Sequence, residues 1–135
     1  MKSERPMAKA PTAIPFDKFW GWVQAHPNCI LRAGTPETIL FDDDDLHWHF
    51  AAEDEETFLV QLIRGKKLLG ELVLVPAEIA YVNAEPAVGD GDGEDEEHLF
   101  ELITENQSKR IASYHFVLSH GYDHEETVVR GRWTH

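Results

Sequence analysis

The chain has 135 residues, with 25 acidic side chains against 12 basic ones and a net charge of −13. That length is one domain's worth, and it buries roughly two-thirds of the unfolded chain's surface without disulfide or metal staples. The charge excludes nonspecific binding to nucleic acid or to anionic membrane, since both repel acid, and no apolar run approaches the roughly 18 residues of a membrane span.

Residues 1–14 contain charges and two prolines, Pro6 and Pro11, with no apolar stretch of the secretory kind, and read as a flexible arm. The first ordered element expected is a helix from about Pro15 to His26. Phe16, Phe19, Trp20 and Val23 fall on one stripe, Pro15 suits a first helical position, and Pro27 forbids continuation. Cys29 is the only cysteine, so no intrachain disulfide forms. Between Asn28 and Ile30 it reads as a small buried hydrophobe, and a reducing cytoplasm is the expected compartment.

After Asn28 the pattern turns to strands. Cys29–Arg32 and Thr38–Phe41 are short apolar runs around the turn-like Ala33-Gly34-Thr35-Pro36. Residues 46–50 alternate, with Leu46, Trp48 and Phe50 on one face. Thr57–Arg64 is apolar on both faces, and Arg64-Gly65-Lys66-Lys67 reads as a hairpin turn into Leu68–Val75, with Leu62 and Val73 expected in the core. Ile79–Val82 follows as a short strand. Residues 84–97 form a Pro-, Gly- and acid-rich loop expected to be mobile, and His98–Thr104 and Ile111–Ser119 read as two more strands. Residues 120–135 are a polar tail in which Thr127–Val129 could pair briefly. The expected fold is α+β: an antiparallel meander of six to eight strands over residues 15–119, with the N-terminal helix packed on it. A small β-barrel is the alternative.

The acid is localised. Residues 42–56 (Asp42, Asp43, Asp44, Asp45, Glu53, Asp54, Glu55, Glu56) and residues 85–101 hold 16 of the 25 acidic residues and no Lys or Arg. Localised charge bears on partners more than on fold.

His47-Trp48-His49 is the candidate metal pair, because residues i and i+2 of a strand share a face, and Glu53 follows. This H-x-H-x3-E spacing is similar to the metal motif of cupins over seven residues. Phe41 and Val60 stand where that motif places glycines, and no second motif follows, so the family is not assigned. Zinc or iron at His47, His49 and Glu53 is the metal alternative, with His120 and His124 as further ligand candidates. Weak Ca²⁺ binding in the acidic loop from Asp90 towards Glu101 is another, although Asp95 occupies the position where an EF-hand needs glycine.

The leading expectation is therefore a non-enzymatic, acidic cytoplasmic module of the inhibitor, immunity, adaptor or nucleic-acid-mimic type. It would bind a basic surface of another protein, steered by the acid of residues 42–56 (Asp42–Asp45 and Glu53–Glu56) and of residues 85–97, with Trp48 or Trp22 as anchors. A small metal-dependent enzyme or metal-binding protein, and a structural or homo-oligomeric module, are the alternatives.

Overall fold

A computed structural model describes residues 12–85 and 97–122. In chain order these residues form β1 (Thr12–Ile14), α1 (Phe16–Gln24), a 3-10 turn (Pro27–Cys29), β2 (Ile30–Gly34), β3 (Ile39–Phe41), β4 (His47–Ala52), β5 (Phe58–Arg64) and β6 (Lys67–Leu74). A second 3-10 turn (Pro76–Glu78), β7 (Tyr81–Ala84), β8 (His98–Asn106) and β9 (Lys109–Leu118) follow.

The strands divide into two open, antiparallel sheets. One has six strands in the order β1-β7-β8-β9-β2-β3 and the other has three in the order β4-β5-β6. The expected α+β architecture with its N-terminal helix is thus the observed one, with nine strands among the described residues, and neither sheet closes into a barrel. Thr12–Ile14, expected in the arm, pairs with Val82–Ala84 instead, and Ile14 is buried in the core. The expected strand over 98–104 is present and runs to Asn106. The remaining residues of the expected arm, most of the 84–97 loop and the expected Thr127–Val129 strand lie outside the described residues.

Two glycines set bends. Gly65 has a φ of +61° in the β5–β6 hairpin, a region L side chains enter at a cost. At Gly34 a Cβ would stand 2.1 Å from the Thr38 carbonyl oxygen, so only glycine lets β2 fold back on β3.

The helix is the wedge between the sheets. Phe19, Trp22 and Val23 are buried. Phe19 packs on Phe100 and Phe116 of the six-stranded sheet, with ring centroids 5.2 and 5.5 Å away. Trp20 stacks on Phe58 at 5.2 Å and meets Phe50 edge-on at 5.4 Å, both from the three-stranded sheet. Such aromatic pairs add about 0.5–1.5 kcal/mol each beyond the area they bury. The stripe read from the sequence omits Trp22, which is 1% exposed; the buried arc of α1 is wider than one stripe because it faces two sheets.

In β5 and β6, Val60, Leu62, Leu72 and Leu74 point inward to the core. Val73 lies between two of these and is 47% exposed, so its expected place in the core is corrected: period-2 alternation sends it to the outer face.

Candidate functional site

The register of the three-stranded sheet positions the acidic residues. His47 pairs with Ile63 and Arg64 with Lys67, so Asp42–Asp45, just before β4, lie at the end of the sheet that carries the Arg64-Gly65-Lys66-Lys67 hairpin. Ala52 pairs with Phe58 and Phe58 with Leu74, so Glu53–Glu56 occupy the opposite end, where the strand ends supply no base. All eight carboxylates are exposed. The six residues of β4 separate the two groups by about 20 Å at ~3.3 Å per residue, more than twice the roughly 8 Å Debye length of physiological salt. One acidic segment in the sequence is therefore two sites in space, and only Glu53–Glu56 is free of bases on its own sheet.

Asp42 has its pKa raised, first by burial and further by the Asp43 and Asp44 charges. The Asp43 backbone N–H and the Trp48 indole work the other way. The Trp48 contact falls short of hydrogen-bond geometry, and the indole N–H has no acceptor among the described residues. Trp48 itself is 8% exposed in the core, and Trp22 is buried deeper, so neither serves as the surface anchor expected of it.

The outer face of this sheet is three cross-strand rows. Ala51, Leu59 and Val73 form one; His49, Gln61 and Glu71 the second; His47, Ile63 and Leu68 the third, with Leu69 beside a register shift. Leu68, Leu69 and Val73 are exposed, and Leu59 and Ile63 half-buried. The middle row is a polar relay: His49 Nδ1–H donates to Gln61 Oε1 at 3.1 Å, and Gln61 Nε2 donates to Glu71 Oε2 at 2.7 Å.

His47 and His49 do share this face, as the alternation implied. Glu53 lies in the turn beyond the strand, about 13 Å along the chain from His49 at ~3.3 Å per residue. Among the described residues no three His, Cys, Asp or Glu side chains converge as a metal site. Residues Asp90–Asp95 and His124 lie outside the described residues; Glu101 sits within β8, opposite His115.

The six-stranded sheet's outer face is different. Arg32 pairs with Glu97 at 3.1 Å, and Asn83 Nδ2 donates to Glu85 and Glu101 at 3.2 and 3.4 Å. Ser113 donates to Thr104 at 2.8 Å. His115 has its pKa lowered, first by burial and then by the Arg32 charge, with Glu101 opposing.

A third constellation escaped the sequence reading. Ile30 pairs with Leu118, and Ser119 N–H donates to the Cys29 carbonyl at 2.9 Å, which fixes the end of β9 beside the first 3-10 turn. His120 Nε2 then stands 3.2 Å from Cys29 Sγ. His120 Nδ1 lies 3.1 Å from the Gly121 carbonyl, which can only accept, so Nδ1 carries a proton. In the neutral ring Nε2 is therefore the acceptor for the Cys29 S–H. The His26 ring packs edge-on against His120 at 4.9 Å, and its Nδ1–H donates to Trp22 O at 2.8 Å. Cys29 and His120 are 91 residues apart, so no local motif signals them; His26-x2-Cys29 is the only nearby spacing that could have prompted the search.

No helix among the described residues is long and apolar enough to cross a membrane. Comparison with family models, curated proteins and solved structures finds no match for this chain.

Proposed function

We propose that the protein is a non-enzymatic interaction module of the cytoplasm that docks a basic surface of another protein on the outer face of its three-stranded sheet. The observation that carries this reading is the exposure of Leu68, Leu69 and Val73 between two acidic ends. Apolar side chains in rows, flanked by like charge, suit a partner with an apolar centre and basic flanks.

Area decides how much of the surface takes part. Three strands ~4.8 Å apart and about 20 Å long present on the order of 300 Å², well below the roughly 800 Å² per partner of a stable interface. The acidic loops at both ends must therefore belong to the contact. Glu53–Glu56 leads the encounter, because the bases of the β5–β6 hairpin offset Asp42–Asp45. Leu68 and Val73 then hold the bound state, and Glu71 offers a charged acceptor at the centre.

The test begins with capture of the partner at low salt, followed by association kinetics with the purified pair. Neutralising Glu53, Asp54, Glu55 and Glu56 to their amides slows association by about tenfold and flattens its salt dependence, since steering acts on encounter. Neutralising Asp42–Asp45 has the smaller effect. Leu68→Ser with Val73→Ser leaves the on-rate and speeds dissociation. An on-rate and salt slope unchanged by both sets of amides would overturn the electrostatic reading, and so would a basic-partner-free protein that forms only dimers of itself.

A further inference from the structure

We propose that Cys29 and His120 form a nucleophile–base pair that makes Cys29 a site of oxidation by hydroperoxides. The pair is independent of the docking surface, since neither residue belongs to the outer-face rows of the three-stranded sheet. Its parts are those that an activated nucleophile needs: a thiol, a base within hydrogen-bond reach and a third group that orients the base. The thiol and the base are 3.2 Å apart, and the Gly121 carbonyl sets the tautomer by accepting from Nδ1. The orienter is itself fixed. A Cβ on Gly121 would meet the His98 ring at 3.0 Å, so glycine brings the backbone close to that ring. Backbone bonds from Cys29 N–H to His26 O at 3.0 Å and from Ser119 N–H to Cys29 O at 2.9 Å hold the thiol against the strand that delivers the base. The buried His26 ring backs His120 from behind.

The step balances as follows. The S–H proton passes to His120 Nε2 and leaves a thiolate beside an imidazolium. The sulfur attacks one oxygen of the peroxide, an S–O bond forms and the O–O bond breaks. Sulfur is oxidised to the sulfenic acid, the peroxide is reduced, and the departing hydroxide or alkoxide takes the proton from His120 as water or alcohol. Cys29 is the chain's only cysteine, so no resolving thiol exists within it; the sulfenic acid is cleared by a thiol from another molecule. Cys29 is half-buried, which favours small oxidants such as hydrogen peroxide over bulky ones.

The test uses the full chain. Hydrogen peroxide is added in the presence of dimedone, which traps sulfenic acid, and the adduct is mapped by mass spectrometry. In parallel the rate of alkylation by iodoacetamide is measured from acid to alkaline pH. The expected result is a dimedone adduct on Cys29 and an alkylation rate that levels off at neutral pH. His120→Gln should lower the neutral-pH rate by about tenfold, because an unassisted thiol titrates near 8.5 and is mostly protonated at pH 7. Circular dichroism checks that this variant folds. If it does not, the wild-type pH profile decides alone: a rate still rising tenfold per pH unit through pH 7 to 8 overturns the proposal. So does the absence of a dimedone adduct, or an alkylation rate that a folded His120→Gln variant leaves unchanged.

Discussion

The two sheets differ most on the faces they turn away from each other. The six-stranded sheet answers its outward polar groups across strands, with Arg32 on Glu97 and Asn83 on Glu101 and Glu85, while Ile103 and Val117 are 7% and 2% exposed. The three-stranded sheet leaves Leu68, Leu69 and Val73 in water with one polar row between them. The larger sheet has apolar residues in water too, but at its margins: Ile39 and Phe41 on the short edge strand β3, and Ile111 near the β8–β9 turn. The smaller sheet concentrates its three on one strand, β6. An exposed apolar patch is informative only against such a background.

The comparison breaks first at the inner faces, where both sheets should behave as core. Phe100→Ala removes the ring on which Phe19 and Trp22 pack and should cost about 3–5 kcal/mol. Leu62→Ala, on the inner face of the smaller sheet, should cost about 2–4 kcal/mol. Denaturant unfolding checks both, and a Leu62 value near zero would mean that the smaller sheet is not packed on the helix as described.

Acid sharpens the contrast next. His115, on the larger sheet, is held neutral by burial and Arg32, so its folded pKa lies below the ordinary 6.5. The unfolded chain then takes up that proton first. The stability contributed is present above 6.5 and lost as pH falls through the lowered folded value. His115→Gln should flatten that acid limb in thermal melts from pH 7.5 to 5. An unchanged limb would assign the acid sensitivity elsewhere.

The smallest effects belong to the outer face of the smaller sheet. Val73→Ala, His47→Ala and His49→Ala should each change stability by no more than about 0.5 kcal/mol. Melts with and without added zinc separate the alternatives: a zinc-dependent stabilisation abolished by His47→Ala or His49→Ala would promote the metal reading of this face.

Much of the fold was legible, and for local reasons. The β5–β6 hairpin is written in Arg64-Gly65-Lys66-Lys67, and Leu46-His47-Trp48-His49-Phe50 fixed which side of β4 is core. The long-range pairings were not. Thr12-Ala13-Ile14 is too short to show alternation, and its partner Val82–Ala84 is about seventy residues away. β6 hides its inner face because Val73 and Leu69 are as apolar as Leu72 and Leu74. The site was read in part. The acids were found at once, but their division between two ends needs the β4–β5–β6 register, and the Cys29–His120 contact needs the pairing of β2 with β9.

That last pairing also sets a timetable for synthesis. The smaller sheet uses residues 47–74 in unbroken succession, so it has all its strands early as the chain emerges. The larger sheet holds β2 against β9, with Ile30 opposite Leu118, and cannot join its two halves until nearly all of the described chain has been made. Until then Phe19 and Trp22 lack Phe100 and Phe116, and the helix that wedges the fold carries bare aromatic rings. Such non-local closure is slow, and it exposes nascent chains to association with one another. A ribosome that stalls before residue 98 would release not a smaller version of this protein but a finished three-stranded sheet beside a helix that has one aromatic face covered, at Trp20, and the other bare, at Phe19 and Trp22.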